Sequence, residues 1–223
     1  MKRSVVVLLS GGLDSATCLW WARARGLKLH ALSLRYGQRH AKELDSARAL
    51  AKAAGAELHE VELALPWLKT SSLVDPKKAL PDEPLAKIGR GGVPSTYVPG
   101  RNTMFVALGL SLADAVGAEA VVVGANALDY SGYPDCRPEF YKAFGRVARL
   151  GTKRGDEGRR LDVVAPLVKL DKAAIALLAR RLGVPIGLTW SCYAGTRRPC
   201  GRCDSCKLRA KGFAEAGFTD PAL

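Results

Sequence analysis

The sequence is poor in side-chain amides and has no long apolar run. Its 223 residues include one glutamine, Gln38, and two asparagines, Asn102 and Asn126. So few thermolabile amides are typical of a thermophile or of a GC-rich genome, and composition does not separate the two. No apolar stretch approaches the ~20 residues needed to cross a membrane. The N-terminal Met-Lys-Arg leads into a short apolar run with no small-residue cleavage site after it. We therefore expect no signal peptide, no membrane partner and a cytoplasmic location.

Acidic residues are also few. The chain has 34 lysines and arginines against 21 aspartates and glutamates, which gives a formal net charge of +13. A strongly basic protein favours anionic partners, here nucleic acid, nucleotides or an acidic small molecule. A chain of 223 residues is long enough for one sizeable α/β core with a small appendage.

Four of the six cysteines lie close together near the C-terminus, with the spacing Cys192-x7-Cys200-x2-Cys203-x2-Cys206. In a cytosolic chain such a cluster indicates a metal rather than disulfides. Four thiolates match a closed tetrahedral zinc site with no position for water or substrate, so we expect one structural zinc per chain. A four-cysteine iron–sulfur cluster uses the same ligands and is the competing interpretation.

The most informative stretch is Ser10-Gly11-Gly12-Leu13-Asp14-Ser15. It follows an apolar run over residues 5–9 and precedes an apolar helix-like pattern, which predicts a strand, a tight loop and a helix. The glycines let the backbone approach a ligand closely. The N–H groups of the loop and of the helix start then favour a phosphate oxyanion, with the hydroxyls of Ser10, Ser15 and Thr17 as further donors. The stretch is neither a Walker loop nor a Rossmann Gly-x-Gly-x-x-Gly loop. An ordinary capped turn is the plainer alternative.

Strand-like and helix-like segments alternate along the rest of the chain. The alternation predicts an α/β fold, a parallel sheet of about five strands with helices on both faces, and ligands at the carboxyl ends of the strands. We expect a main domain over residues 1–186 and a zinc-binding segment over 187–223 packed on it. Residues 64–99 lack periodicity and predict a functional loop, a lid or a disordered segment. The predicted strands are 4–9, 28–34, 57–63, 120–123 and 162–167, and the predicted helices are 14–25, 41–54, 101–116, 138–150 and 171–182.

A second informative stretch, residues 129–137, follows the fourth predicted strand. Arg137 offers forked pairing to a carboxylate, and Asp135 could accept hydrogen bonds from a guanine-like amidine edge. A solvent-exposed turn built by the glycine and the proline of this stretch is the alternative. The aromatic residues that could stack on a flat heterocycle are Tyr130, Tyr133 and Phe140.

Six motifs occur in one order along almost the whole chain. They are Ser10–Ser15, Tyr36–His40, Tyr97–Asn102, Ser131–Arg137, Trp190–Tyr193 and Cys200–Cys206. Together they resemble the 7-cyano-7-deazaguanine synthase family, a branch of the PP-loop ATP pyrophosphatases. The loop motif is shared across that superfamily, whereas Ser-Gly-Tyr-Pro-Asp-Cys-Arg and the cysteine pattern are typical of this branch. The resemblance implies an adenine-nucleotide α-hydrolase-like sheet and an ATP pyrophosphatase domain over residues 1–186.

The resemblance also implies an ATP-dependent carbon–nitrogen ligase that joins ammonia to 7-carboxy-7-deazaguanine and yields the nitrile. Mg²⁺ would offset the triphosphate charge, and we expect a homodimer with no obligatory nucleic acid. A carboxylate has two oxygens and a nitrile has none, so each oxygen needs activation before it leaves. One loop used twice predicts two ATP consumed per nitrile, with a primary amide as intermediate.

The site residues expected from the motifs form four sets. The catalytic candidates are Asp14, Ser15 and Arg101. Asp14 is also a candidate Mg²⁺ ligand. Arg101 is a candidate partner of a phosphate or a carboxylate, and a surface ion pair is the alternative for Arg101. The expected ATP-binding residues are Leu8, Leu9, Ser10, Gly11, Gly12, Leu13, Asp14, Ser15, Ala16, Thr17, Cys18, Tyr36 and Gln38. The expected substrate-binding residues are Asn102, Asp129, Ser131, Tyr133, Asp135, Cys136, Arg137 and Phe140. The expected metal ligands are Cys192, Cys200, Cys203 and Cys206.

Two rival functions stay open from the sequence. A tRNA-thiolating enzyme would use the same loop with Cys136 or Cys18 as sulfur carrier, and Cys136 is the better candidate because Cys18 lies in an apolar helix. A nucleic-acid-binding module would use the zinc ribbon with its neighbouring basic residues Lys207, Arg209 and Lys211, and its binding would weaken steeply with salt.

Overall fold

A parallel sheet of five strands forms the centre of the computed structural model, which describes residues 3–39, 42–126 and 132–222. The strands are β1 (Ser4–Leu8), β2 (Lys28–Arg35), β3 (Glu57–Glu62), β4 (Ala120–Val122) and β5 (Asp162–Val164). Their order is β3-β2-β1-β4-β5, and every neighbouring pair is parallel. The predicted α/β class is therefore confirmed.

Seven helices accompany the strands in the described residues. They are α1 (Leu13–Arg23), α2 (Lys42–Ala54), α3 (Arg101–Val116), α4 (Pro138–Gly151), α5 (Lys153–Asp156), α6 (Lys172–Leu182) and α7 (Asp204–Glu215). The ends of α6 show why the prediction worked. The Asp171 side chain accepts from Ala174 N at 2.8 Å, and Gly183 closes the helix in a left-handed conformation with φ of 71°. Helix α7 lies in the cysteine segment and is not among the predicted helices.

Along β1, successive side chains lie on opposite faces of the sheet. Val5 and Val7 join an apolar cluster with α1, α2, α6 and α7. Val6 joins a second cluster with α3 and α4. Helices therefore cover both faces, as predicted, and the buried strands are apolar on both sides, as is usual for parallel sheets.

Residues 64–99 fold as a loop packed on the rest of the chain. A short 3-10 helix spans Pro66–Thr70, and Leu68 and Val98 are buried together against Tyr36. Farther along, the loop contacts the cysteine segment, because Lys207 Nζ lies 2.6 Å from a carboxylate oxygen of Asp82. These contacts argue against a disordered segment, and a role as a functional loop or a lid stays a prediction.

The strand order reverses between β1 and β4, which creates a crevice at their carboxyl ends, the usual ligand position in such sheets. The loop after β1 and the residues after β4 meet there. A Cβ on Gly124 would lie 3.1 Å from Ser15 N, so the backbone after β4 passes directly against the start of α1. In the part of the chain that the structure describes, no helix combines the length and the apolar character of a membrane span.

Candidate active site and cysteine centre

Hydrogen bonds within the loop between β1 and α1 hold it in shape. Ser15 Oγ accepts from Ser10 N at 3.2 Å and donates to Gly12 O at 3.1 Å. The hydroxyls of Ser10 and Ser15 lie 3.1 Å apart. Since Ser15 is buried, its hydroxyl stabilises the backbone that would face a phosphate.

The two glycines of the loop have different roles. Gly11 has a φ of +87°, and a Cβ there would lie 2.2 Å from the carbonyl oxygen of Glu43 in α2. Only glycine fits this close approach. Gly12 has a φ of −76° and lines the cavity above the loop. A Cβ on Gly12 would meet only ordinary contacts at 3.5 Å and beyond.

Asp14 is held by two residues from distant parts of the chain. Its Oδ2 accepts from Lys172 Nζ at 2.6 Å and from Asn126 Nδ2 at 2.8 Å. Lys172 is the first residue of α6, and Asn126 follows β4. The ion pair is about four-fifths buried on both sides. Lys172 was not predicted from the sequence, because a lysine directly after a helix N-cap is a weak signal on its own.

A cavity of about 270 Å³ opens above the loop, close to the lower end of volumes for small-molecule sites, which run from about 300 to 1,000 Å³. The expected residues that line it are Leu8, Leu9, Ser10, Gly12, Asp14, Ser15, Tyr36, Gln38, Arg101, Asn102, Tyr133 and Cys136. Gln38 shapes the rim, because its side chain accepts from Tyr36 N at 2.8 Å and donates to Leu34 O at 3.2 Å.

Other expected ATP-binding residues lie behind the cavity wall. Leu13, Ala16 and Cys18 are buried in the apolar cluster around α1. Thr17 is buried, and its hydroxyl donates to Leu13 O at 2.7 Å. Gly11 packs against α2. Contact of these residues with a nucleotide stays a prediction.

The expected substrate residues are dispersed. Asp135 is buried and accepts from Asn102 N at 3.1 Å, whereas Arg137 is exposed. Phe140 packs against Tyr141, with ring centroids 5.2 Å apart. Asp129, Tyr130 and Ser131 lie outside the described residues, as does His40 of the Tyr36–His40 motif.

Arg101, Tyr36 and Glu43 form the electrostatic centre of the cavity. Burial would lower the pKa of Arg101, but its interaction and hydrogen bond with Tyr36 raise that pKa overall, so Arg101 stays a cation. Burial raises the pKa of Tyr36. Burial also raises the pKa of Glu43 to about 7, against the opposing effect of Arg101. Glu43 was not predicted from the sequence, because a glutamate in the first turn of a surface helix is ordinary.

The two isolated cysteines differ in access to the cavity. Cys136 lines it, and its sulfur accepts from Asn102 Nδ2 at 3.1 Å. Cys18 is fully buried with its thiol directed at Val123 O, 3.5 Å away. Burial, with a smaller contribution from Asp14, raises the pKa of Cys18 well above its usual value. Cys18 is therefore an inert core thiol, as the sequence indicated.

The four C-terminal cysteines converge. Their sulfur atoms all lie within 4.8 Å of one another. Cys192 Sγ accepts from Ala194 N at 3.4 Å and from Cys200 N at 3.3 Å. A hydrogen bond from Cys206 lowers the pKa of Cys203 to about 5. Four converging sulfurs, with backbone N–H groups to support thiolate charge, fit a closed tetrathiolate metal centre.

The cysteine centre packs directly on the glycine-rich loop. Trp190 N donates to Gly11 O at 2.9 Å, and the Trp190 indole N–H donates to Cys192 O at 2.8 Å. Lys42 Nζ lies 4.4 Å from the centroid of the Trp190 ring. Tyr193 lines the cavity itself. The segment that carries the cysteines therefore forms part of one wall of the candidate active site.

A second group of potential ligands, His30, Glu57 and His59, lies near the amino ends of β2 and β3. His30 Nδ1 and His59 Nε2 are 3.2 Å apart, a distance that a direct hydrogen bond between the rings accounts for. Burial lowers the pKa of His30. The group is remote from the carboxyl-end crevice.

A glycine-rich loop at the switch point of a parallel sheet defines a nucleotide-binding α/β protein, and comparison with known proteins names the family. The chain matches the family described as "Queuosine biosynthesis protein QueC" over residues 4–217. It is 53% identical to 7-cyano-7-deazaguanine synthase from Anaeromyxobacter dehalogenans, over 98% of this chain and 94% of that protein. It is 50% identical to the synthase from Trichormus variabilis, over 97% of this chain and 96% of that protein.

The protein belongs to the QueC family, as the motifs predicted, and it is an enzyme. Among solved structures, NMN synthetase from Francisella tularensis superimposes with a TM-score of 0.52 at 19% identity, covering 98% of this chain and 79% of that one. This likeness concerns the fold alone.

Proposed function

We propose that the protein uses ATP to convert 7-carboxy-7-deazaguanine and ammonia to 7-cyano-7-deazaguanine. One observation carries the proposal: the glycine-rich loop and the cationic Arg101 line the same cavity, in a chain 53% identical to a protein of that name. The loop suits a phosphate leaving group, and Arg101 suits the carboxylate that attacks the α-phosphate.

In the first half-reaction, a carboxylate oxygen attacks the α-phosphorus of ATP and pyrophosphate leaves. The N–H groups at the start of α1 hold the leaving pyrophosphate, and the internal hydrogen bond from Ser10 N to Ser15 Oγ keeps the loop in shape around it. Arg101 orients the carboxylate, and Tyr133 covers the flat ring. Ammonia then attacks the acyl adenylate, AMP leaves, and a primary amide forms.

In the second half-reaction, the amide oxygen attacks a second ATP at the same loop. The adenylated amide loses AMP, and the nitrogen loses its protons, which leaves the nitrile. Two ATP are consumed, and each gives AMP and pyrophosphate. The described residues offer one such loop, which supports one site used twice.

A Mg²⁺ ion bound with ATP would offset the triphosphate charge. The donor set around Asp14 fits it in part, because this carboxylate already accepts from Lys172 and Asn126. Lys172 is itself a cation next to the loop, so we propose that it shares the phosphate charge with the metal.

The tetrathiolate centre fits zinc because four thiolates with closed geometry leave no open coordination position. We propose one zinc per chain with a structural role, and iron–sulfur is the alternative. We also propose a main domain over residues 1–186 and a metal-binding segment over 187–223 that folds with it, since Phe213 packs in the same cluster as α1. The homodimer and the independence from nucleic acid rest on the family resemblance alone, whereas the cytoplasmic location is the expectation from the sequence pattern.

The test is a reaction with the deazapurine acid, ammonia and Mg·ATP, in which AMP, ADP, pyrophosphate and nitrile are quantified. We expect two AMP and two pyrophosphate per nitrile, and conversion of supplied amide with one ATP and no ammonia. ADP and inorganic phosphate as products would refute adenylation at this loop.

tRNA thiolation is the one rival that an observation favours, because Cys136 lines the cavity. It predicts that Cys136→Ser abolishes turnover and that tRNA is required. Nitrile formation by Cys136→Ser without tRNA would exclude it.

A further inference from the structure

Glu43 places a carboxyl group at the cavity, and the proposed function assigns it no role in binding ATP or the substrate. It lies in the first turn of α2 and lines the same cavity as Arg101 and Gly12. Its own carbonyl oxygen is the atom that a Cβ on Gly11 would meet at 2.2 Å. The backbone of Glu43 is therefore in contact with the loop that would hold the phosphates, which fixes the side chain beside the reacting groups.

Proton acceptors are few in this cavity. The carboxylates among its lining residues are those of Asp14 and Glu43, and no histidine of the described residues lines it. Asp14 is occupied by Lys172 and Asn126. In the described part of the chain, the Glu43 carboxyl has no side-chain hydrogen bond and no salt bridge, and the charge that acts on it is that of Arg101.

The surroundings of Glu43 favour a carboxyl that binds and releases a proton near neutrality. Burial raises its pKa to about 7, and the charge of Arg101 opposes this rise. A catalytic base works best when its pKa lies near the operating pH. The other titratable or charged residues that line the cavity are Asp14 of α1, Tyr36 after β2, Arg101 of α3, Tyr133 and Cys136 before α4, Tyr141 of α4, and Tyr193 of the cysteine segment.

We propose that Glu43 is the catalytic proton acceptor of both half-reactions. This inference rests on the proposed function, because that reaction releases protons at one nitrogen in two separate steps. Arg101 and the loop neutralise the oxygens, and neither a guanidinium nor a backbone N–H can accept these protons.

In amide formation, the ammonia nitrogen forms a bond to the acyl carbon, and the nitrogen of the adduct carries a positive charge. Glu43 takes one proton from this nitrogen. The C–O bond to AMP then breaks, with its electron pair going to the phosphate oxygen. The products are the primary amide, AMP and a protonated Glu43, which returns its proton to water before the next step.

In nitrile formation, the adenylated amide carries its leaving group on the former carbonyl oxygen. Adenylation of the oxygen leaves the nitrogen as a cationic =NH2+ group, and its first proton passes to water to give the neutral imidate. Glu43 then takes the remaining N–H proton, and the N–H electron pair becomes part of the carbon–nitrogen triple bond. The C–O bond to AMP breaks at the same carbon, and AMP takes that electron pair. Charge and atoms balance with no further reactant.

The test compares Glu43→Gln and Glu43→Asp with the control Asp45→Asn. Asp45 lies on the same helix but is exposed and pairs with Arg48 at 3.2 Å. Three rates are measured. They are the exchange of labelled pyrophosphate into ATP in the presence of the deazapurine acid, amide formation from ammonia, and nitrile formation from supplied amide.

We expect Glu43→Gln to keep the exchange rate within about threefold, because adenylation needs no base at nitrogen, and to lose about 10²–10⁴-fold in amide and nitrile formation. Glu43→Asp should recover part of both rates. The pH profile is measured on supplied amide, because free ammonia then plays no part. The wild-type rate should rise through about pH 7, as its carboxyl loses the proton, and Glu43→Gln should lack this inflection.

Two results would overturn the inference. In one, Glu43→Gln forms amide and nitrile at wild-type rates with an unchanged pH profile. In the other, it loses exchange as much as it loses the later steps, which indicates a structural role in the loop. If Glu43→Gln does not fold, wild-type rates of amide and nitrile formation in Glu43→Asp, whose carboxyl is displaced by one methylene group, overturn it as well. Absence of pyrophosphate exchange in the wild type would refute the proposed function itself. This result differs from the two above, which refute only the role of Glu43.

Discussion

Alanine replacements at three glycines should separate the packing of the loop from its chemistry. Gly11 combines a φ of +87° with a site where a Cβ lies 2.2 Å from Glu43 O. A left-handed residue with a Cβ costs about 1–2 kcal/mol, and forced overpacking adds about 1–3 kcal/mol. Gly11→Ala should therefore lower the free energy of unfolding by about 2–5 kcal/mol. At about 2–4 °C per kcal/mol for a chain of this size, the midpoint falls by about 4–20 °C.

Gly26→Ala is the matched control for backbone strain. Its φ is +66°, and no atom lies within 4 Å of the added Cβ. This variant should lose only the free energy that a Cβ costs in a left-handed backbone conformation, about 1–2 kcal/mol, and it should keep full activity. Thermal unfolding followed by circular dichroism gives both values.

Gly12→Ala should have the opposite profile. Its φ is −76°, and the added Cβ meets its nearest atom at 3.5 Å, so stability should change by less than about 0.5 kcal/mol. The methyl group would nevertheless displace phosphates from the loop, and misplacement of about 1 Å costs about 10²-fold in rate. Pyrophosphate exchange measures this loss. An unchanged exchange rate in Gly12→Ala, or equal stability of Gly11→Ala and Gly26→Ala, would refute the reasoning.

Two further predictions concern the C-terminal segment. Arg209→Ala leaves the buried Asp220 without its forked partner, which donates to it at 2.5 and 2.9 Å, and should lower the free energy of unfolding by about 3–5 kcal/mol. Lys211→Ala removes an exposed ion pair and should lower it by only about 0.3–0.5 kcal/mol. Equal melting temperatures of the two variants would contradict this. Cys203→Ala should lose bound zinc and melt at a lower temperature, since metal binding is coupled to folding. The control Cys18→Ala should keep its zinc. Elemental analysis that finds iron would overturn the zinc assignment.

Local sequence patterns predicted most of the fold. Strand and helix periodicities depend on neighbouring residues, so the five strands, the two covered faces and the range Arg101–Val116 followed from them. Helix α7 was not predicted because it begins at Asp204, inside the cysteine pattern that was interpreted as a metal site.

The candidate site was predictable in part, for the same reason. The Ser10–Ser15 loop and the cysteine pattern are contiguous, so their chemistry can be deduced from adjacent residues. Exposure is not a local property. The structure places Arg101 in the cavity wall and Arg137 at the surface, although both offer the same guanidinium.

The sequence by itself determined an α/β protein with a phosphate-type loop and a four-cysteine centre, because these features depend on residues near one another in the chain. Only the tertiary structure decided which distant side chains join the loop. Lys172 contacts Asp14 across 158 residues, and Glu43 enters the cavity because α2 begins against Gly11. The strand order places β1 in the centre of the sheet, so that α2, which follows β2, and α6, which follows β5, both reach the loop after β1. That order is set by the packing of the whole core, which no single segment encodes.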